Sequence, residues 1–169
     1  MRAQAGQSGS RRWTQSARGF SLIELLIVVA VILTIMAIAI PNFIRSRMRA
    51  NEAGAVQSLR NITTAEVVYS TTYGIGYSTS LAKLGGNAVI VDANNAGLID
   101  DVLAQGAKSG YKFTYTAGAT DANGNVVDYF VNADPISVGV TGMRFFYADQ
   151  TGVIHQNQTS QAGPNDPPI

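Results

Sequence analysis

One apolar segment near the N-terminus constrains this chain more than any other feature. From Phe20 to Ile40 the sequence runs for 21 residues, and only Ser21, Glu24 and Thr34 are polar. At 1.5 Å per residue a helix of this length covers roughly 30 Å, about the hydrocarbon thickness of a bilayer. An ionised glutamate inside such a helix costs on the order of 2.5–3.5 kcal/mol. We therefore predict a transmembrane helix in which Glu24 has a function and a cationic partner.

The sequence around Glu24 suggests where that positive charge comes from. No basic residue lies between Phe20 and Ile44, so the side chains of the helix cannot neutralise the carboxylate. Cleavage of the peptide bond after Gly19 would give Phe20 an α-ammonium group four residues before Glu24. Its own chain or a neighbouring copy could then supply the cation.

The residues from Gly19 to Glu24 read Gly-Phe-Ser-Leu-Ile-Glu, and a long apolar run and then a proline follow them. This arrangement resembles the N-terminus of type IV prepilins and of the pseudopilins of type II secretion, over about residues 18–60. The resemblance implies that a prepilin peptidase cleaves between Gly19 and Phe20 and N-methylates Phe20. It also implies that Glu24 and Phe20 act together in filament assembly.

Two other interpretations of the segment remain open. Ala37-Ile38-Ala39 is a small-x-small triplet of the kind found at signal peptidase sites, and cleavage there would release a soluble domain. Against this, the apolar run is longer than a signal core of about 7–15 residues, and Glu24 interrupts it. The third interpretation is an uncut transmembrane anchor, which leaves Glu24 unpaired.

Charge and cysteine content limit the classes of function. The leader, residues 1–19, contains four arginines and no acid, which favours its retention on the cytoplasmic side of a membrane. Removing it changes the balance from 12 basic and 11 acidic residues to 8 and 11, so the mature chain is mildly acidic. This balance gives no support for nucleic-acid binding. The chain has no cysteine, so a C-terminal loop that many type IV pilins close with a disulfide must here be held by packing alone.

Residues 41–76 are predicted to continue the same helix as an amphipathic half. Pro41 should kink the helix or loosen its preceding turn without ending it, because helix-compatible residues resume at once. Apolar residues then recur at steps of three and four and predict one buried stripe: Ala55, Leu59, Ile62, Ala65, Tyr69 and Tyr73. Polar residues, Glu52, Gln57, Arg60 and Thr64 among them, are placed opposite that stripe. Gly74 and Gly76 should end the helix.

Residues 77–157 are predicted to form a globular α+β head, and residues 158–169 a flexible tail. The helical segments are Ser80–Leu84 and Ala96–Gln105. The strands, recognised by a period of two and by turn residues between them, are Tyr111–Thr116, Val127–Ala133, Met143–Ala148 and Gly152–Asn157. The expected fold is therefore α+β, with a long N-terminal helix packed on a small antiparallel sheet of about four strands, as in pilins.

The head has few residues suited to catalysis. His155 is the only histidine and alternates on a predicted strand, which favours a surface or packing role. Asp100 and Asp101 are adjacent, so their side chains point in different directions. The loop from Asp121 begins like a calcium loop, but its glycine comes at the fourth position instead of the sixth, and Asn132 replaces the final glutamate. We expect no catalytic, cofactor or metal site and no enzymatic activity.

The resemblance implies a structural subunit of a type IV pilus-like filament, processed by the prepilin peptidase and assembled through its N-terminal helix. The alternative is a pseudopilin that forms a periplasmic pseudopilus for protein export. The absence of an acidic cluster like the calcium site of the major pseudopilin favours the pilus. Expected partners are the prepilin peptidase, identical or related pilin subunits, the membrane and an inner-membrane assembly platform. The chain would lie in the inner membrane as a single-pass protein before assembly.

Overall fold

The computed structural model describes residues 19–86 and 91–169, and these separate into two compact units that divide between Ile40 and Pro41. Apart from Gly19, the predicted leader lies outside the described residues. One long helix, α1 (Leu22–Tyr73), contributes to both units. The second unit also contains two short helices and one antiparallel sheet, as the predicted α+β class requires.

Helix α1 is 52 residues long and includes Pro41. It begins where the Ser21 carbonyl accepts a hydrogen bond from the Leu25 amide (N···O 3.2 Å). The helix continues through Pro41, which confirms that prediction. The kink expected at Pro41 stays a prediction. The helix ends at Tyr73, directly before the first of the two glycines expected to end it, because Gly74 adopts φ +66°, a left-handed conformation that glycine reaches without steric cost.

The sheet has five strands in the order β1-β2-β3-β4-β5, with each neighbouring pair antiparallel. The strands are β1 (Ala107–Lys108), β2 (Tyr111–Ala117), β3 (Tyr129–Pro135), β4 (Phe145–Asp149) and β5 (Ile154–Asn157). The last four correspond to the four predicted strands. The two-residue strand β1 was not predicted, since a segment this short has no readable period.

The short helices only partly follow the prediction. Helix α2 (Leu81–Leu84) lies where it was expected, but α3 covers only Asp101–Ala104 of the predicted 96–105. The preceding residues are not helical, because their amides bond back to the α2 region: Ala96 N donates to Lys83 O (2.9 Å) and Leu98 N to Leu84 O (2.7 Å). A long-range backbone pairing thus replaces the local helical one.

The core lies between one face of α1 and one face of the sheet. Five of the six predicted stripe residues are buried, and Tyr73 is partly buried against them. Side chains from the sheet and the short helices complete the cluster: Leu81, Leu84, Leu103, Tyr111, Phe113, Tyr129, Val131, Phe146 and Ile154. Burial of apolar surface on this scale is the main contribution to the stability of such a unit.

The C-terminal segment, residues 158–169, differs from the expectation of a flexible tail. It folds back along β5, with Gln156 N donating to Pro167 O (2.9 Å) and Ile169 N to Ile154 O (3.1 Å). Ala162 is buried, and its carbonyl accepts a hydrogen bond from the Asn132 side chain (2.8 Å). Hydrogen bonds as well as packing therefore hold this segment in a chain without cysteine.

Candidate functional site

The first part of α1 is apolar on every side. All residues from Gly19 to Arg47 are exposed, including every large aliphatic side chain between Leu22 and Ile40. Among the described residues, α1 is the one helix long and apolar enough to cross a membrane, judged by length and composition. An apolar surface with no covering in its own chain needs lipid or another protein around it.

Glu24 lies in the first turn of α1. A carboxylate is stabilised there by the free amides and the positive end of the helix dipole. Within residues 19–86 and 91–169 the ion pairs are Lys108–Asp100 and Arg144–Glu52, so Glu24 has no cationic partner in that part of the chain. Within the described residues the charge of Glu24 is therefore not neutralised by an ion pair.

Gly19 and Phe20 precede the helix and are exposed, Phe20 with 78% of its surface accessible. A Cβ added at Gly19 would meet no heavy atom within 4 Å, and the residue does not need a left-handed φ. The fold itself therefore places no demand for glycine at position 19.

The other polar side chain deep in this segment needs no partner. Thr34 Oγ1 donates to the Ala30 carbonyl one turn earlier, at 2.8 Å. A threonine that bonds back to its own helix is tolerated in an apolar environment because its hydroxyl is satisfied locally. Glu24 has no comparable bond among the described residues, which distinguishes the two positions.

Comparison with known proteins assigns a family. The family model described as "Prokaryotic N-terminal methylation motif" matches residues 14–40. A fimbrial protein of Pseudomonas aeruginosa is 35% identical over 112 residues, which is 57% of this chain and 73% of that protein. The chain belongs to the type IV pilin family. No solved structure matches this pilin-family chain.

Two further relatives of this pilin match over shorter alignments. The type IV major pilin protein PilA of Myxococcus xanthus is 47% identical over 55 residues, 32% of this chain and 25% of that protein. The type IV wide pilus major component PilA4 of Thermus thermophilus is 40% identical over 55 residues, 32% of this chain and 42% of that protein. The chain thus spans less than half the length of either relative.

The second half of the pilin helix contains a buried glutamate in an ion pair, and sequence reasoning places this residue wrongly. Glu52 was assigned to the solvated face, yet it is buried. Its carboxylate accepts hydrogen bonds from Met143 N (2.9 Å), Arg144 N (3.3 Å) and Arg144 Nε (2.8 Å). One side chain therefore satisfies two backbone amides just before β4 and pairs with a guanidinium.

A second buried carboxylate lies two turns before the end of α1. Glu66 is fully buried, and Ser78 donates to it twice, through its amide (2.8 Å) and its hydroxyl (2.5 Å). Tyr115 of β2 donates to the Ser78 carbonyl at 2.8 Å and so joins the sheet to the network. Burial raises the pKa of Glu66 above its ordinary value of 4.5, and the two bonds from Ser78 oppose that rise.

The spacing of the stripe could have revealed both carboxylates. Glu52 lies three residues before Ala55, and Glu66 lies four after Ile62 and three before Tyr69. These intervals place both glutamates on the apolar stripe itself. Both glutamates are missed when charged residues are assigned to the solvated face because they are charged, without regard to their position in the helical repeat.

The remaining candidates have structural partners. His155 Nδ1 lies 2.5 Å from the Asp166 carbonyl. Asp100 caps α3 through the Leu103 amide and pairs with Lys108. Asp121 accepts from the Asn123 and Asn125 amides, as a turn residue does. No group of three or more potential metal ligands occurs in the part of the chain that the structure describes.

Proposed function

We propose that this chain is a structural subunit of a type IV pilus-like filament and assembles through its N-terminal helix. One observation carries the proposal: the first part of α1, from Leu22 to Ile40, is exposed and apolar on all sides and has a single carboxylate in its first turn, with no ion pair to it in the described residues. This combination suits a bundle of identical helices in which the neighbour covers the apolar surface and supplies the charge. Its role is structural, and it needs no cofactor.

Processing would create the missing charge. A prepilin peptidase cleaves between Gly19 and Phe20 and N-methylates Phe20, which leaves a secondary ammonium at the new N-terminus. The exposed position of both residues supports access to this bond. Because the fold tolerates a side chain at position 19, the glycine is explained by the peptidase and not by packing.

Assembly would then pair charges between subunits. In the filament, Glu24 binds the Phe20 ammonium of a neighbouring subunit, and the aliphatic residues from Leu22 to Ile40 form the filament core. An unpaired carboxylate in a medium of low dielectric is penalised, so subunits that align at the wrong axial position lose this contact. The pair thereby selects one stagger between neighbouring helices.

Location follows from the same segment. Before assembly, residues 20–40 span the inner membrane, and the second unit lies outside the cytoplasm, where an assembly platform extracts the subunit into the filament. We favour a surface pilus over a periplasmic pseudopilus of type II secretion because the relatives are named as pilus and fimbrial proteins.

The test is the mature N-terminus. We expect N-methyl-Phe20 in protein recovered from sheared filaments, determined by intact mass and N-terminal peptide analysis. Gly19→Val should leave the precursor uncut, whereas the matched substitution Gly9→Val, within the leader but away from the cleavage site, should be processed normally. A mature chain that begins at Ile40 would indicate ordinary secretion and contradict the proposal.

A further inference from the structure

A cationic groove lies at the start of the second unit, between α1 and the residues that flank β4 and β5. It has a volume of about 580 Å³ and is lined by Arg45, Met48, Arg49, Glu52, Met143, Arg144 and Gln158. We call this set the arginine groove. Arg45 and Arg49 are four residues apart, so both project from the same face of the helix.

The charges in the groove do not cancel. Glu52 is its one carboxylate, and Arg144 already pairs with it through Nε; Arg144 also donates from NH1 to Gln156 (2.9 Å). Within residues 19–86 and 91–169 neither Arg45 nor Arg49 takes part in an ion pair. Two guanidinium groups therefore remain to bind an anion, and their planar donor forks suit a phosphate.

The position of these arginines indicates which kind of phosphate. Arg45 follows Ile40, the last residue of the apolar run, by five residues, roughly 7 Å of helix. The polar layer of a bilayer extends about 5–7 Å beyond the hydrocarbon on each side. Helical side chains lean towards the N-terminus, so Arg45 and Arg49 reach back towards that layer. Met48 and Met143 add apolar lining that a free inorganic anion would not use.

We propose that the arginine groove binds the headgroup phosphate of an anionic phospholipid in the outer leaflet of the inner membrane. The proposal rests on the proposed function, since it needs residues 20–40 in the bilayer. Basic residues beside a membrane span recognise anionic lipids in this way. The bound lipid holds the second unit at the membrane surface until the subunit is extracted.

The experiment uses the mature full chain in detergent micelles, titrated with phosphatidylglycerol or phosphatidylcholine of identical acyl chains and followed by native mass spectrometry. We expect a preference for phosphatidylglycerol. Arg45→Gln/Arg49→Gln should reduce that preference roughly tenfold or more, since each arginine near an anionic surface contributes about fivefold. The control Arg47→Gln/Arg60→Gln removes the same charge from α1 at exposed positions outside the groove and should retain the preference.

Four results would overturn the proposal. The first two are an equal loss of the phosphatidylglycerol preference in both double variants and no loss of it in either. The third is displacement of phosphatidylglycerol by inorganic phosphate at matched concentration. The fourth is an intact lipid preference in the groove variant combined with failed filament assembly. Displacement by phosphate would mean that the groove binds a free anion, and failed assembly with intact lipid preference would mean that it binds a neighbouring subunit. A chain that does not enter micelles contradicts the proposed membrane segment, whereas normal entry without lipid preference contradicts the groove alone.

Discussion

Both halves of α1, residues 22–40 and 41–73, contain glutamate among apolar neighbours. The two halves differ in whether that glutamate has a bonding partner within the described chain. In the later part, Glu66 is buried and receives two hydrogen bonds from Ser78, and Glu52 pairs with Arg144. In the earlier part, Glu24 is exposed and has no such partner in the described residues. A carboxylate satisfied within its chain stabilises a fold, whereas one left without a partner is available for association.

The largest effect is expected from removing the unpartnered carboxylate. Glu24→Ala should leave cleavage after Gly19 intact but reduce filament yield by about tenfold or more, because the neighbour's Phe20 ammonium would lie unpaired in an apolar bundle. A loss of only about 1.4 kcal/mol per subunit changes an equilibrium tenfold. Sheared filaments would be quantified against total processed subunit.

Thr34→Ala is the matched control for that experiment. It also removes a polar group from the apolar run, but one that bonds to its own helix. We expect near-normal filament yield from Thr34→Ala. Wild-type yield from Glu24→Ala would show that the carboxylate has no part in assembly and would remove the functional contrast between the two halves of α1.

The next largest effect is expected from replacing leucine by alanine, and we compare this change in the two halves of α1. Leu59 is fully buried, so Leu59→Ala should lower the free energy of unfolding of the second unit by about 2–5 kcal/mol. Leu33 is 60% exposed, and Leu33→Ala should change that free energy by less than about 0.5 kcal/mol. All seven tyrosines lie in the second unit, so tyrosine fluorescence during urea unfolding reports on that unit alone. Similar losses from both variants would contradict the division into two units.

The partly buried pair between Glu52 and Arg144 should contribute less than a core leucine but more than a surface pair. Glu52→Ala leaves the amides of Met143 and Arg144 without their acceptor and should cost about 2–3 kcal/mol of unfolding free energy. Lys108→Ala breaks the exposed pair with Asp100 and should cost at most about 1 kcal/mol. Equal costs in the same urea assay would mean that burial adds nothing to the Glu52 contacts.

The sequence predicts the first half of α1 better than the contacts of its second half, because those contacts involve residues far away in the chain. The apolar run, the continuity through Pro41 and the stripe from Ala55 to Tyr69 follow from local periodicity. The contacts of Glu52 do not, because its partner amides lie 91 and 92 residues later in the chain. The non-helical residues 96–99 and the C-terminal segment likewise depend on distant backbone partners, which no local pattern encodes.

The residues that we propose for processing and assembly all lie in one short segment of the sequence. Gly19, Phe20 and Glu24 lie within six consecutive residues, so a sequence motif is sufficient to propose their roles, which stay predictions. The arginine groove was not predicted, because it forms only when β4 brings Arg144 next to the helix. A site whose residues come from one segment can be proposed from a sequence pattern, whereas a site whose residues come from several segments can be recognised only once the fold is known.

The smallest effect concerns the pH dependence that Glu66 gives to the second unit. Burial raises the pKa of Glu66 in the folded state above its ordinary value of 4.5. The folded chain therefore holds this proton more tightly than the unfolded chain, and the free energy of unfolding falls as pH rises from about 4.5 through the folded pKa. Glu66→Gln keeps an acceptor for the Ser78 amide but cannot ionise, so it should lose this decline.

The measurement is the difference in unfolding free energy between the wild type and Glu66→Gln across pH 4 to 8, in which groups common to both chains cancel. Wild type should become less stable relative to the variant as pH rises, and the difference should become constant once Glu66 is ionised in both states. A difference that changes in the opposite direction would mean that the two Ser78 bonds outweigh desolvation. The second half of α1 would then bind an ionised carboxylate favourably within its own chain, which is the task that we assign to a neighbouring subunit at Glu24.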